Sequence, residues 1–419
     1  MTDAALTLPQ GAVNRAIGAT LASAAIWIGV FLSGFVIREP APYELFMVVL
    51  IGIWAMSGLL TIPRAVMLPF LLLMVFNIGG VISMTQMTEW KNAPLYIASS
   101  IFLALSGVFF ACVIAARPAR LALVFNAWAA AALLTSLAAI AGYFHLFPGA
   151  EIFTRYGRAK GVFEDPNVFA PYLVLPALYA VHALLTRPAR YLLPAAAAAA
   201  ILSFAIFLSF SRAGWGLLLM CGVLLVAALF LNSTSGRFRL RILLLSLFAA
   251  AGAVVVLIVA LQFEQIRTLF FERAQLLQDY DAARLGRFER HWIGLLKAAE
   301  TPLGIGPLEF GRIFGEDTHN IWLKALFDYS WLGFAAYLAL TVLTLAAGFR
   351  LLFRDRPWQP YLLCAYIAYV GHVLVGTVID TDHWRHFYLL LGIIWGCIAL
   401  EARHHYPRDD QGLAASSSR

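Results

Sequence analysis

One histidine has the position expected of a general base. His319 lies in the segment Thr318-His319-Asn320, immediately before a long apolar stretch. Because imidazole titrates near neutral pH, a neutral ring nitrogen can remove a proton from an attacking hydroxyl group. His319 is therefore the candidate catalytic base, and Asn320 is a candidate substrate-binding residue. The alternative for His319, a polar residue at a membrane interface, stays open at this point.

A candidate phosphate-binding residue is Arg212. It lies in Ser209-Phe-Ser211-Arg212-Ala-Gly214, a tight connection between two apolar stretches that places it at the edge of a membrane. An arginine there is costly without a partner, and its planar guanidinium suits bidentate contact with phosphate. Ser211 is a candidate contact for the same substrate. The alternative is that the Arg212 side chain simply extends to the interface.

A second polar cluster precedes another apolar stretch. It reads Arg158-Ala-Lys160-Gly-Val-Phe-Glu-Asp165-Pro-Asn167 and combines cations with carboxylates and a turn. Arg158, Lys160, Asp165 and Asn167 are candidate substrate-binding residues. Asp and Asn before a helix are also common N-terminal caps, so a purely structural role for Asp165 and Asn167 is the alternative.

Residues 380–386, Asp-Thr-Asp-His-Trp-Arg-His, form the densest polar cluster. Paired carboxylates could hold a divalent metal, and Asp279 and Asp281 repeat the spacing, but two-residue patterns arise readily by chance. We favour a polar network that orients His319 or a substrate, without a metal. The candidate binding residues in it are Asp382, His383 and Arg385.

The composition predicts the scaffold that must position these residues. The chain of 419 residues is 62% hydrophobic and 13% charged, with a mean hydropathy of +0.80, whereas soluble domains are about half apolar and a quarter charged. Apolar runs long enough to cross a bilayer predict an all-α integral membrane protein of about twelve transmembrane helices. The predicted spans are 16–37, 45–62, 65–84, 93–115, 121–143, 168–186, 191–208, 213–231, 240–262, 321–347, 361–378 and 386–400.

The distribution of positive charge predicts the orientation. On the side of the termini we count fifteen arginines: Arg15, Arg64, Arg117, Arg120, Arg187, Arg190, Arg237, Arg239, Arg241, Arg350, Arg354, Arg356, Arg403, Arg408 and Arg419. The short loops of the other side carry seven cations: Arg38, Lys91, Arg155, Arg158, Lys160, Arg212 and Arg385. Both termini are therefore predicted to be cytoplasmic, as tails 1–15 and 401–419 around a membrane domain 16–400. This alternation also explains the net charge of +7 without a nucleic-acid partner.

The candidate residues all fall in loops of the outer face in this arrangement. The longest of these loops, 263–318, is predicted to contain an amphipathic helix that lies on the membrane or over the bundle. Its apolar positions are Leu285, Phe288, Trp292, Leu295, Leu296 and Ala299, with Arg284, Arg287, Glu289 and Arg290 elsewhere around the helix. The alternative is a purely structural lid with solvated charges. The four cysteines lie within predicted helices, so neither a disulfide framework nor a zinc site is indicated.

Residues 120–400 resemble the O-antigen ligase family. The resemblance rests on the order of Gly161-Val-Phe-Glu-Asp165-Pro-Asn167, the Ser209 to Gly214 motif, Arg287 to Trp292, Pro302-Leu-Gly304-Ile-Gly306, and His319-Asn320 to Gly333. It implies a GT-C-like polytopic bundle in a bacterial inner membrane that transfers a glycan from undecaprenyl pyrophosphate, at the periplasmic face and without a cofactor. By this resemblance Arg212 and Arg287 bind the donor pyrophosphate, and His319 activates the acceptor.

The acceptor is where the resemblance leaves alternatives. The family joins O-antigen to lipid A core, and it also includes Wzy-type polymerases and protein O-oligosaccharyltransferases. We favour lipid A core, because the outer loop is modest and no large periplasmic domain presents a protein acceptor. A flippase or transporter is less favoured, since such a protein would place its charges near the membrane midplane and within repeats.

Overall fold

The computed structural model describes residues 10–275 and 287–405, and these are overwhelmingly helical. The helices are α1 (Gln10–Leu32), α2 (Pro42–Met56), α3 (Arg64–Met84), α4 (Ala93–Ala116), α5 (Arg120–Tyr143), α6 (Pro166–Thr186), α7 (Leu192–Leu208), α8 (Arg212–Asn232), α9 (Gly236–Ala260), α10 (Glu264–Ala274), α11 (Arg287–Glu300), α12 (Glu309–Phe314), α13 (Ile321–Asp328), α14 (Ser330–Leu351), α15 (Gln359–Val375) and α16 (Arg385–His405). Short 3₁₀ helices cover Ala150–Phe153 and Ala189–Tyr191, and β1 (Thr154–Arg155) pairs antiparallel with β2 (Arg158–Ala159).

Ten helices in the described part of the chain are long and apolar enough to cross a membrane: α1, α3 to α9, α14 and α16. Two further apolar helices, α2 and α15, are shorter. Together they account for the twelve spans expected from the sequence, and the prediction of an all-α polytopic membrane protein is confirmed.

The helix ends separate into two opposite sets. At one end Arg385, at the start of α16, pairs with Glu39 before α2 at 2.9 Å. At the other end Arg356, between α14 and α15, pairs with Glu401 near the end of α16 at 2.9 Å. His319 lies with the first set, which we call the His319 face. The start of α1 and the end of α16 lie with the second set, which we call the terminal face.

The centre of the bundle is formed by α4, α6 and α16. In the apolar 18-residue part of each of these helices, between 72% and 83% of the residues are buried. Small residues allow close approach: a side chain added at Gly392 of α16 would meet the backbone oxygen of Gly107 of α4. By contrast, only 6% of the residues in the corresponding part of α9 are buried, so α9 lies at the periphery with most of its surface exposed.

The predicted span 321–347 is divided in the structure. α13 ends at Asp328 and α14 begins at Ser330, which has a left-handed backbone conformation with φ +62°. Tyr329 at the break stacks on Phe76 of α3 with a ring-centroid distance of 3.8 Å. The carbonyl of Phe327, which would otherwise accept a bond within a continuous helix, accepts from the Ser83 hydroxyl at 2.7 Å. Tertiary contacts with α3 therefore stabilise the break.

The predicted amphipathic helix is observed as α11, over the His319 face. Trp292, Leu295 and Leu296 are half or more exposed, whereas Arg290 and Ala298 are buried. The apolar stripe thus faces away from the protein, because ion pairing and the close packing of small residues hold the opposite side. Arg284 and Leu285 lie outside the described residues.

Candidate functional site

His319 lies at the entrance to α13 and is positioned by the helix cap that follows it. The side-chain oxygen of Asn320 accepts from the backbone N–H groups of Trp322 at 2.9 Å and Leu323 at 3.2 Å. The Asn320 amide donates to the carbonyl of Thr377, beyond α15, at 3.0 Å. His319 itself has φ +48°, a conformation that is uncommon outside glycine and costs energy. The cap and the loop beyond α15 therefore hold its ring in a defined place.

Both nitrogens of the His319 ring face carboxylates. Nε2 lies 3.0 Å from Oε1 of Glu316, and Nδ1 lies 3.7 Å from Oδ2 of Asp380. The side chain is 31% exposed, so an external molecule can reach it. Glu316 also pairs with the buried Arg290 of α11. Although burial opposes the charge of Glu316, the bond to His319 and the charge of Arg290 hold its pKa below the ordinary value.

A buried lysine lies behind His319. Lys324 of α13 is only 5% exposed and pairs with Asp317, with Asp328 at 3.7 Å and with Asp380 at 3.7 Å. Burial opposes its charge, but the carboxylates of Asp380 and Asp328 outweigh that effect and raise the pKa of Lys324 well above its ordinary value. Burial also raises the pKa of Asp380, to about 6, even with the lysine nearby. We refer to Asp317, His319, Lys324, Asp328 and Asp380 as the Lys324 cluster.

Asp382 and His383 extend this network toward α4. Oδ2 of Asp382 accepts from the Tyr96 hydroxyl at 2.5 Å and lies 2.9 Å from Nδ1 of His383. Nε2 of His383 lies 3.1 Å from the Tyr96 carbonyl. Asp382 is 3% exposed; burial would raise its pKa, but His383 and Lys324 hold that pKa well below the ordinary value. This geometry suits the orienting network predicted from the sequence.

A second buried cation lies on the same face. Arg158 is 8% exposed; its Nε donates to the carbonyl of Ser209 at 2.8 Å and its Nη2 donates to Oδ1 of Asn167 at 2.8 Å. Asp165 caps α6 through the Asn167 N–H at 2.6 Å, and Ser211 caps α8 through the Gly214 N–H at 3.2 Å. We refer to Arg158, Asp165, Asn167, Ser209 and Ser211 as the Arg158 cluster. It joins the loop before α6 to the connection between α7 and α8.

The other predicted site residues lie outside these two clusters. Lys160 donates to the carbonyl of Phe163 at 2.9 Å, and Arg385 is 9% exposed between Glu39 and Glu44. Arg212, the first residue of α8, donates from Nη1 to the carbonyl of Gln275 at 3.2 Å. The backbone of Arg287 begins α11, but its side chain, like Asp279 and Asp281, lies outside what the structure describes.

Within the described ranges, no three His, Cys, Asp or Glu side chains are arranged to hold a metal ion. The carboxylates of the Lys324 cluster instead surround the ammonium group of Lys324.

The sequence reading missed Lys324, its partners Asp317 and Asp328, and the Glu316 partner of His319. One signal could have found Lys324: a lone lysine in a stretch predicted to cross a membrane marks a functional site by default. Asp328 lies in the same predicted span and carried the same signal, whereas Glu316 and Asp317 lie in the loop before that span and carried none. Glu316 and Asp317 read as ordinary loop acids, and Asp328 follows Lys324 by four residues.

The fold and the site define a multi-pass helical membrane protein with a partly exposed histidine over a buried charge network at one face. Comparison with protein families carries this further: residues 197–338 match the model of the O-antigen ligase family. The match supports assignment of the chain to the O-antigen ligase family and confirms the predicted resemblance. The matched region includes Arg212, Arg287, His319 and Lys324.

The family assignment supports a ligase- or polymerase-type membrane glycosyltransferase function and an enzyme that acts on lipid-linked glycans. The match begins after the Arg158 segment and ends before residues 380–386. No curated protein matches the chain.

Proposed function

We propose that this protein transfers a glycan from undecaprenyl pyrophosphate to an acceptor hydroxyl at the periplasmic face, and that the acceptor is lipid A core. The observation that carries the proposal is His319, partly exposed and held between Glu316 and Asp380 within the region that matches the family. A general base must reach the proton that it removes, and this histidine is the most exposed member of the Lys324 cluster.

The two carboxylates give the two ring nitrogens different roles. Glu316 is the closer partner and accepts the Nε2 proton, which leaves the lone pair on Nδ1. Asp380 is too distant for a hydrogen bond, so the Nδ1 lone pair stays available to an acceptor hydroxyl that approaches beside Asp380. Nδ1 takes the hydroxyl proton, and the Glu316 carboxylate stabilises the imidazolium that forms.

The remaining step is displacement of the pyrophosphate. The acceptor oxygen forms a bond to the anomeric carbon as the bond from that carbon to the phosphate oxygen breaks, and the electron pair leaves with undecaprenyl pyrophosphate. Attack opposite the leaving group inverts the anomeric centre. Arg212, at the start of α8, and Arg287, at the start of α11, are the proposed partners of the departing anion, and guanidinium groups suit that role.

The positive charge of the terminal face supports this orientation. Arginines dominate the loops of that face, which is the pattern of cytoplasmic loops. The His319 face is then periplasmic, in the bacterial inner membrane, with both termini cytoplasmic. The donor, the acceptor and the bilayer are the proposed partners.

The first experiment is a lipopolysaccharide gel, with analysis of lipid-linked glycans, in the source strain lacking this gene. If the proposal holds, the strain has bare lipid A core and accumulates long undecaprenyl-pyrophosphate polymer. Wild type restores the ladder, and correctly inserted His319→Ala protein does not. Core capped with a single repeat unit would instead identify a polymerase.

A reaction in detergent micelles distinguishes transfer from transport. Purified protein should move glycan from the lipid donor to lipid A core within a single micelle, where no membrane separates the two. A protein that leaves both lipids unchanged there, while its gene still corrects the strain, would contradict the transferase proposal.

A further inference from the structure

A cavity of about 460 Å³ with a mixed polar and apolar lining opens on the terminal face, at the end of the molecule opposite His319. It lies where the end of α6, the end of α8, the start of α9 and the start of α15 meet. Its polar lining comes from His182, Thr186, Asn232, Thr234, Ser235 and Gln359. Its volume falls within the roughly 300–1,000 Å³ of small-molecule sites. The proposed transfer reaction uses none of these residues.

His182 offers the cavity a ring nitrogen. The side chain is 7% exposed, and its Nδ1 lies 3.4 Å from the hydroxyl of Thr186, one turn further along α6. Nε2 has no hydrogen-bond partner among the residues that the structure describes. An unpartnered ring nitrogen at a cavity wall, on a side chain that is otherwise largely buried, indicates a ligand or ordered solvent there.

The start of α9 supplies backbone donors at the same place. Ser235 caps the helix by accepting from the Phe238 N–H at 3.4 Å, and its carbonyl accepts the first helical bond, from the Arg239 N–H at 3.0 Å. In the described chain, the N–H groups of Gly236 and Arg237 have no backbone acceptor. Such groups, together with the positive end of the helix dipole, favour an anion.

The surrounding charge is strongly positive. Arg241 donates to the carbonyls of Leu184 at 3.3 Å and Arg187 at 2.7 Å, which fixes its guanidinium beside the end of α6. The acidic residues that the structure describes on this face are Asp355 and Glu401, and Glu401 is already paired with two arginines. An anion in the cavity would therefore meet little repulsion.

The position of α9 indicates that the anion carries an apolar tail. Leu240, Leu243 and Leu247, one to three turns beyond the cavity, are all more than half exposed. A ligand bound at the cavity would therefore continue along an apolar surface that lies in the bilayer. Basic pockets between transmembrane helices on the cytoplasmic side are typical binding places for anionic lipid headgroups.

We infer that the terminal-face cavity binds the phosphate headgroup of an anionic phospholipid, whose acyl chains lie along α9. His182 and the backbone N–H groups at the start of α9 contact the phosphate, the arginines around the cavity attract it at longer range, and the Ser, Thr and Asn side chains contact the remainder of the headgroup. This site is independent of the transfer reaction.

Native mass spectrometry of the full-length, delipidated protein in detergent tests the inference. Phosphatidylglycerol should bind about tenfold more tightly than phosphatidylcholine of the same chain length. Arg237→Gln should weaken phosphatidylglycerol binding about fivefold, since each cation near an anionic headgroup contributes about that much. Thr234→Trp places a large side chain at the exposed rim and should block binding. Arg15→Gln makes the same charge change on α1, away from the cavity, and should change nothing.

Three results would overturn the inference. Equal affinity for the two lipids would show that the cavity does not select a negatively charged headgroup. Equal loss in Arg15→Gln and Arg237→Gln would show attraction to the whole face rather than to the cavity. Competition by free glycerol phosphate at the concentration of the lipid would show a site for a soluble metabolite. Because binding is read directly, these results are independent of glycan transfer.

Discussion

The Lys324 cluster and the Arg158 cluster each bury a cation at the His319 face, yet they satisfy it differently. Arg158 donates to a backbone carbonyl and to a side-chain amide, neither of which titrates near neutral pH. Lys324 is surrounded by carboxylates, and one of them, Asp380, also faces the partly exposed His319. A change in the protonation of His319 or Asp380 therefore acts directly on Lys324.

The two clusters show that one buried cation can stabilise the fold while another acts on titratable neighbours. A buried arginine that donates to a carbonyl and a side-chain amide stabilises the fold through those hydrogen bonds. A buried lysine among carboxylates sets the electrostatic field around neighbouring titratable groups, and its loss leaves those carboxylates uncompensated at a large cost in stability. This division can be tested by four measurements, given in order of decreasing effect.

The largest effect is expected for His319→Asn. Asparagine tolerates the positive φ of this position but cannot act as a base, so the rate of glycan transfer should fall about 10²- to 10⁴-fold. His145, an exposed histidine with φ +51° in the loop after α5, provides a matched control, and His145→Asn should retain the wild-type rate. Equal losses of transfer rate in the two variants would show that His319 is not the catalytic base.

Lys324→Met should be the most destabilising change. It leaves the carboxylates of Asp317, Asp328 and Asp380 without their cation, and breaking such buried pairs costs about 3–5 kcal/mol. The free energy of unfolding in detergent measures the loss. Lys297→Met removes an exposed pair with Glu300 and should cost at most about 1 kcal/mol. A similar cost for both would show that the Lys324 cluster is weakly coupled.

The sequence predicted the bundle well, because the length of an apolar run is a local property that decides whether a helix crosses a bilayer. It did not predict the break between α13 and α14. Tyr329 and Ser330 are acceptable helix residues, and the break depends on the stacking of Tyr329 on Phe76 and the bond from Ser83. Those contacts come from α3, some 250 residues earlier in the chain.

The candidate site residues also differ in how far local sequence predicted their surroundings. His319, Asn320, Asp382 and His383 were chosen from local clusters. The structure places His319 beside Asp380, Asn320 against the carbonyl of Thr377, and the Asp382–His383 pair against Tyr96 of α4. Arg158, Asn167 and Ser211 were chosen for substrate binding, and in the structure their side chains bind protein groups. Local sequence shows which residues are polar. Only the fold shows whether their hydrogen-bonding groups are already bound to other groups of the protein.

Arg158→Lys should lower stability moderately. A lysine keeps the charge but cannot donate to Ser209 and Asn167 in the same fixed geometry, so we expect a loss of about 1.5–3 kcal/mol. Arg212→Lys is the matched change on the same face, and it should reduce glycan transfer with little loss of stability. Thermal melting and transfer rate, measured on both proteins, check this. If Arg158→Lys instead lowered transfer and Arg212→Lys lowered stability, Arg158 would be the phosphate-binding residue and Arg212 would have the structural role.

The smallest effect concerns pH and separates the two carboxylates that face His319. Because the pKa of Asp380 is raised to about 6, its contribution to stability is full below about pH 4 and is lost as pH rises through 6. The pKa of Glu316 is lowered, so its contribution is present at neutral pH and is lost as pH falls through that lowered value. Raising the pH from 4 to 7 should therefore increase the melting temperature of Asp380→Asn relative to wild type by a few degrees, and decrease that of Glu316→Gln. Parallel melting curves for all three proteins across this range would show that the two carboxylates experience the same environment, and the assignment of separate roles to Nδ1 and Nε2 of His319 would then fail.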